Sequence, residues 1–302
     1  MRDRGGLAFA LGGGGGRGAL QVGALRALLE AGLRPDLLVG TSAGAVNATF
    51  LAVRGFTEKA LDELEANWFA AAEAELLPAN YLWLTVRLMF HRTGIHVGHR
   101  MREFFIALGL TPELRFRDLR GPRLIQVAAD LREPGVVLYG IERDQSVLEG
   151  LLASTALPPW VHPMDIEGRT LMDGGVLSNL PIEPALRMGA RRIIALDITE
   201  PRPTGLETYG FGPFLRTLAY AVECRQIELE IALAAARGVP VHRLVLQGER
   251  PVSTWDFSQT EALIKRGYAQ AVAQLEAWPE LRPTRWRHWI ARLQSRLLGV
   301  GG

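Results

Sequence analysis

Five apolar residues, 7–11, run directly into a glycine tract, and a helical pattern begins only after it. An unbroken apolar run of that length predicts a short strand buried on both faces. Leucines at 20, 25, 28 and 29 then share one face of a helix over 19–31, which Gly32 ends. A second buried strand at 37–39 leads into a second helix at 43–53. Strand, glycine turn, helix, strand, turn and helix in about fifty residues indicate a parallel α/β sheet.

Further along, the pattern turns helical over 58–75, 81–90 and 99–108, punctuated by Pro78 and Gly94. Strands return at 124–129 and 136–139, and a helix over 147–154 stops before Pro158-Pro159. Leu171-Met172 leads into Asp173-Gly174-Gly175, followed by a buried strand at 192–197, a long helix over 213–237 and a last strand at 243–246. Ser258 is placed to cap a helix running to about 277. No linker, internal repeat or low-complexity segment interrupts this order apart from the glycines. The expected organisation is one domain over 1–280, with a tail at 281–302.

Composition narrows the classes. Of 302 residues 48% are hydrophobic and the formal net charge is +2, which excludes disorder. Cys224 is the single cysteine, so no intrachain disulfide can form and a reducing compartment is expected. Near-neutrality argues against a nucleic-acid partner. Arginine outnumbers lysine 32 to 2, spread along the whole chain, which reads as codon composition. The run 7–11 is too short for a signal-peptide core, and the most apolar window, 81–90, is half of the roughly 20 residues a membrane span requires. The expected location is cytoplasmic, at most peripheral to the inner membrane surface.

The net charge conceals an asymmetry. Residues 281–302 hold five arginines and no acid, leaving 29 basic against 32 acidic residues before them. At helical spacing Trp286, Trp289, Ile290, Leu293 and Leu297 share an arc of about 100°, with Arg285, Arg292 and Arg296 beside it. Such a tail can lie in an anionic lipid interface or pack on the domain. The bulky segment from Trp68 to Phe90 likewise has two readings, a buried helix pair or the wall of an acyl channel.

Two short elements carry chemistry. Gly40-Thr41-Ser42-Ala43-Gly44 lies between a strand and a helix, the setting of a nucleophile elbow, in which small residues permit a sharp turn and expose the serine hydroxyl. A simple helix cap by Ser42 or Thr41 is the alternative. Gly12 to Gly16, with Arg17-Gly18, forms a loop whose amides can approach an oxyanion or a phosphate. Gly13, Gly15 and Gly18 satisfy a dinucleotide fingerprint. That motif, however, needs an acid at the end of the second strand, where Gly40-Thr41-Ser42 stands instead. A P-loop fails because Ala19-Leu20 occupies the Lys-Ser/Thr position. A standard α/β-hydrolase fits poorly, since Ser42 follows only two strands. His242, beside a strand, and His288, in the tail, are weak triad partners. His96 and His99 lack the companions of a metal site.

These blocks resemble the patatin-like phospholipase family. Gly12 to Gly18 is similar to its glycine-rich oxyanion loop, and Gly40 to Gly44 to its nucleophile elbow. Ala153-Ser154-Thr155-Ala156-Leu157-Pro158 is similar to a third block, and Asp173-Gly174-Gly175 with Asn179 and Pro181 to the catalytic-aspartate loop. The resemblance implies a three-layer α/β/α sandwich with a mainly parallel central sheet. It also implies a Ser–Asp dyad of Ser42 and Asp173, with an oxyanion hole from the amides of Gly13, Gly14, Gly15 and Gly16. Gly40, Gly44, Arg17, Gly174 and Asn179 would support the elbow and loops, Arg17 by bracing carbonyls or by meeting a lipid phosphate. Without the other blocks Asp173 would read as an ordinary Asp-Gly turn, and His162 nearby reads as structural. The implied activity is hydrolysis of phospholipid or lysophospholipid acyl esters, with no cofactor and no metal. An acyltransferase and a non-catalytic lipid-binding regulator are the alternatives.

Overall fold

The computed structural model describes residues 6–73, 95–158, 160–200, 211–278 and 281. The helix expected over 81–90 and the basic tail after Leu281 lie outside these residues. The strands are β1 (Leu7–Leu11), β2 (Leu37–Thr41), β3 (Arg123–Asp130), β4 (Gly135–Tyr139), β5 (Met164–Ile166), β6 (Arg169–Asp173), β7 (Arg192–Asp197) and β8 (Val241–Val245). The helices are α1 (Gly18–Glu30), α2 (Ala43–Arg54), α3 (Glu58–Glu73), α4 (Ile95–Ala107), α5 (Val147–Ser154), α6 (Gly175–Ser178), α7 (Ile182–Arg187), α8 (Phe211–Ala236) and α9 (Thr260–Glu276).

The eight strands form one sheet, hydrogen-bonded in the path β5-β6-β3-β2-β1-β7-β8, with β4 on the far edge of β3. Five neighbours, β3, β2, β1, β7 and β8, are parallel, whereas β4, β5 and β6 are antiparallel to their partners. Burial on both faces explains why β1 reads as an unbroken apolar run. Phe9 and Leu11 face one core with Leu38, Ile194 and Leu196, while Ala8 and Ala10 face a second with Val39, Ile193 and Ala195. Helices α1, α2, α3 and α9 supply the first core, and α7 and α8 the second. The result is the three-layer α/β/α sandwich. Among the described residues no helix is long and apolar enough to cross a membrane.

Three local expectations are corrected. Ser258 does not cap the last helix: its amide and hydroxyl both donate to Asp256, at 3.0 and 2.6 Å, and α9 starts at Thr260 without a side-chain cap. The apolar pair Leu171-Met172 belongs to a five-residue strand, β6, which forms a hairpin with β5. The short helices α6 and α7 follow the Asp173 turn, where no helix is expected from the pattern.

Helices α1 and α9 meet at two glycines. A Cβ on Gly23 would fall 1.9 Å from the Ile264 carbonyl oxygen, and one on Gly267 would fall 2.0 Å from that of Leu20. Backbone cannot yield as a flexible side chain does, so Gly267→Ala must push the helices apart. The expected loss is about 1–3 kcal/mol, the usual range for overpacking, and urea unfolding followed by circular dichroism checks it.

Candidate active site

Ser42 sits between β2 and α2 with φ 53° and ψ −123°, a left-handed conformation that only Glu167 shares among the described non-glycine residues. Such backbone costs about 1–3 kcal/mol and persists only where the surroundings fix it. Here they do. The Ser42 amide donates to Ser154 Oγ at 3.0 Å, and the Thr41 hydroxyl donates to the Ser178 carbonyl at 2.9 Å. Side chains are excluded on either side, because a Cβ on Gly44 would lie 2.1 Å from the Leu11 carbonyl oxygen and one on Gly40 would lie 2.5 Å from that of Gly44.

Sheet register brings Asp173 to the same point. β4 occupies one edge of β3 over Gln126–Asp130, so β2 and β6 must share the other. They approach along it from opposite directions and stop at consecutive residues, Thr41 opposite Val127 and Asp173 opposite Ala128. The two strand ends therefore meet, with the Ser42 hydroxyl facing the Asp173 carboxylate and favouring its ionised form. Gly174 continues over β3, where a Cβ would lie 2.4 Å from the Val127 carbonyl oxygen. The Ala156 carbonyl accepts the Asp173 amide at 2.9 Å, so the C-terminal end of α5 and the residues just after it hold both strand ends, Ser42 through Ser154 and Asp173 through Ala156.

The glycine loop leaves β1 beside this pair. The Gly13 amide donates to the Asn179 carbonyl at 3.1 Å and the Gly16 amide to the Thr254 carbonyl at 2.7 Å, so both are engaged in holding the loop. Among the described residues the amides of Gly14 and Gly15, and that of Ala43 in the first turn of α2, have no protein acceptor. Gly15 adopts φ +57° directly under the Thr254 carbonyl and borders the cleft at Ser42. Arg17 points away from that cleft. Its guanidinium donates to the carbonyls of Ile198 (2.9 Å) and Val252 (3.0 Å) and pairs with Glu200 at 3.1 Å. Asn179 Nδ2 donates to the Gly13 carbonyl at 3.3 Å and to Glu223. Behind the loop, buried Gln21 donates to the Gly12 and Leu196 carbonyls at 2.8 and 3.2 Å. Gln21 accepts from Asn47, and Asn47 in turn accepts from Trp68 Nε1.

Asp173 is 3% exposed, and burial raises its carboxyl from about 3.8 to about 6 against the opposing effects of the Ser42 hydroxyl and the Gly175 amide (2.8 Å). Two acids on α8 grip the same region. Glu223 accepts from Thr199 Oγ1 at 2.9 Å as well as from Asn179, and burial raises its pKa. Glu230 accepts from Ser178 Oγ (2.7 Å) and the Glu183 amide (2.6 Å), with its pKa pushed up by burial to about 7. Between them Gln226 donates to the Val176 carbonyl at 2.6 Å. Glu223, Gln226 and Glu230 thus share one face of α8 and hold the segment that follows Asp173. The sequence reading named none of them, nor Ser154 as the partner of the Ser42 amide.

A cleft of about 890 Å³, including its open mouth, starts at Ser42 and is walled by Ala43, Val46, Phe50, Trp68, Met101 and Phe105, with Trp255 and Phe257 opposite. The walls are apolar almost throughout, the exceptions being Ser42, Asn67, Thr155, Thr254 and the Trp255 indole N–H. The histidine side chains among the described residues stand elsewhere: His242 packs on Trp278 with ring centroids 5.0 Å apart, His99 pairs with Glu103 at 3.0 Å, and His162 is exposed. His91, His288 and the side chain of His96 lie outside the described residues. Among the described residues no three His, Cys, Asp or Glu side chains converge as a metal site would require.

The raised Asp173 pKa is also a statement about stability. The folded chain binds this proton more tightly than the unfolded chain, so the contribution is complete below the unfolded value and is lost as pH rises through about 6. A shift of this size corresponds to about 3 kcal/mol. Asp173→Asn is therefore expected to be more stable than the native chain at alkaline pH, with the advantage disappearing on acidification below the ordinary carboxyl range. Urea midpoints at the two extremes measure it.

The family model described as "Patatin-like phospholipase" matches residues 9–186. Over 209 residues the chain is 33% identical to patatin-like phospholipase domain-containing protein 6 of Homo sapiens and of Mus musculus, covering 68% of this chain and 14% of the relative. The protein YqhO of Bacillus subtilis is 30% identical over 188 residues, 56% of this chain and 63% of that one. Among solved structures, VipD from Legionella pneumophila superposes with a TM-score of 0.50 at 15% identity, covering 90% of this chain and 67% of that chain, a likeness of fold. The chain spans about one seventh of the length of the mammalian relatives it matches. With the family model extending over more than half of its residues, from the first strand to α7, the chain belongs to the patatin-like phospholipase family.

Proposed function

We propose that the chain hydrolyses acyl esters of lipids, phospholipids or lysophospholipids, through Ser42 and Asp173. The observation that carries this reading is a strained serine that faces a desolvated carboxylate and lines an apolar cleft. A free carboxylate is a poor base for a serine hydroxyl, and the upward shift of Asp173 narrows that gap. Ser42 Oγ attacks the acyl carbonyl while its proton passes to Asp173, and the C=O electron pair becomes an oxyanion. The unbonded amides of Gly14, Gly15 and Ala43 are the donors available to it, each worth about 3–4 kcal/mol in such a role. Collapse expels the alcohol, which takes the proton from Asp173, and the acyl group stays on Ser42. Water then repeats the cycle with Asp173 as base and releases the fatty acid. The apolar cleft suits the acyl chain. The basic, tryptophan-bearing tail is the proposed contact with an anionic lipid surface.

A fluorophosphonate probe labels the native chain but not Ser42→Ala, whose turnover falls by about 10⁴-fold or more. Labelling that persists in Ser42→Ala overturns the nucleophile. With a soluble ester, kcat/KM climbs with pH up to about 6 and then levels, because only ionised Asp173 accepts the proton. Removing residues 282–302 weakens co-sedimentation with anionic vesicles while leaving hydrolysis of the soluble ester intact; undiminished sedimentation rules the tail out as the contact.

A further inference from the structure

The nucleophile's own helix forms one wall of the cleft. Ala43, Val46 and Phe50 of α2 line it in succession, at helical spacing, leading away from Ser42. A second space of about 430 Å³, an open depression counted with the solvent at its mouth, adjoins it; its half-polar wall comes from Arg54 further along α2, from Glu63 and Ala66 of α3, and from Ala107. Three residues border both spaces: Phe50, Asn67 and Leu108. Phe50 is fixed there. It is 5% exposed, the Arg54 guanidinium lies over its ring at 5.8 Å, and Arg54 is held in turn by Glu63 at 3.6 Å.

We infer that Phe50 is the chain-length determinant of this enzyme, an end stop dividing the acyl slot into a near and a far compartment. The inference rests on the hydrolase reading, because it assigns the cleft to the acyl chain. Seven residues of α2 separate Ala43 from Phe50, a span of about 10 Å at 1.5 Å per residue. An extended chain of C–C bonds near 1.5 Å advances roughly 1.25 Å per carbon, so about eight to ten carbons fill the near compartment. The further turn from Phe50 to Arg54 adds about 6 Å, room for roughly four or five more. Removing the partition joins the two spaces without touching Ser42, Asp173 or the glycine loop.

The test compares the native chain, Phe50→Leu, and Phe50→Leu with Ala66→Trp, which refills the far compartment from an exposed position. Leucine keeps an apolar core residue, so folding is retained where alanine would leave a large hole. Two measurements are made. One is kcat/KM for straight-chain acyl esters from butyrate to palmitate, and the other is displacement of a fluorescent fatty acid by the matching free acids. In the native chain both improve by about fourfold per methylene up to eight to ten carbons and then stop. Phe50→Leu extends the rise by about four carbons, and Ala66→Trp cancels the extension. Identical profiles in native chain and Phe50→Leu overturn the inference. Fatty-acid profiles that shift as described in a chain that hydrolyses no ester uphold the compartments and defeat the hydrolase reading instead.

Discussion

In the proposed dyad the Asp173 carboxylate can serve Ser42 only while it stays dry and free of a neighbouring cation. A cation beside it would draw its pKa down and remove the basicity that burial confers. The Gly175 amide donates to the Asp173 carboxylate, which the Ser42 hydroxyl faces. The nearby charges are absorbed among themselves on the other side of the glycine loop. Arg17 pairs with Glu200, and Arg243 with Asp197 at 2.6 Å. Glu223 accepts from Thr199 and Asn179, and the charge of Arg17 favours its ionised form. An arginine within the anion-binding motif could have been a phosphate ligand. Its engagement with two carbonyls and a carboxylate makes it a brace, and at 12% side-chain exposure it has little surface left for a ligand.

Backbone approach distances then dictate the small residues. The elbow packs on the end of β1, the Asp173 turn packs on β3, and the glycine loop lies beneath the turn at Thr254. Each contact brings main chain against main chain, and each leaves no volume for a Cβ. The same contacts decide which amides remain available. Gly13 and Gly16 are occupied in fixing the loop, so the donors left toward the cleft lie between them. Fixing the loop in advance is what lets such donors act without reorganising when charge develops.

Much of this was legible in the chain because its causes are local. A strand buried on both faces needs a continuous apolar run, and a sharp elbow needs glycine on either side of serine; β1, β2, β7 and the elbow carry these marks within a few residues. The hairpin of β5 and β6 was illegible for the opposite reason. It is short, and Asp165 in β5, Glu167 in the turn and Arg169 in β6 mask any alternation. Glu223 and Glu230 act across separations of 24 to 52 residues, and in sequence they are two acids on an otherwise ordinary long helix. Ser258 shows the complementary failure. It has the right residue type near the right helix, but Asp256, two residues away, competes for both its donors.

In the proposed reaction the energetic burden falls on the oxyanion donors. Raising a carboxyl from about 3.8 to about 6 improves it as a base by roughly two units, or about 3 kcal/mol. In the proposed reaction this still leaves Asp173 below the imidazole of a Ser–His pair, whose ordinary pKa is about 6.5. Pushing the carboxyl further by deeper burial would not help, since the ionised form needed to accept the proton would then be scarce at neutral pH. The remaining stabilisation has to act on the tetrahedral intermediate itself. Three unbonded amides, those of Gly14, Gly15 and Ala43, lie in the segments that follow β1 and β2, and the positive end of α2 adds to them. A dyad of the proposed kind would therefore depend more on its glycine loop than on its base, and the half-buried Glu223 and Glu230 of α8 hold the residues that follow the Asp173 turn.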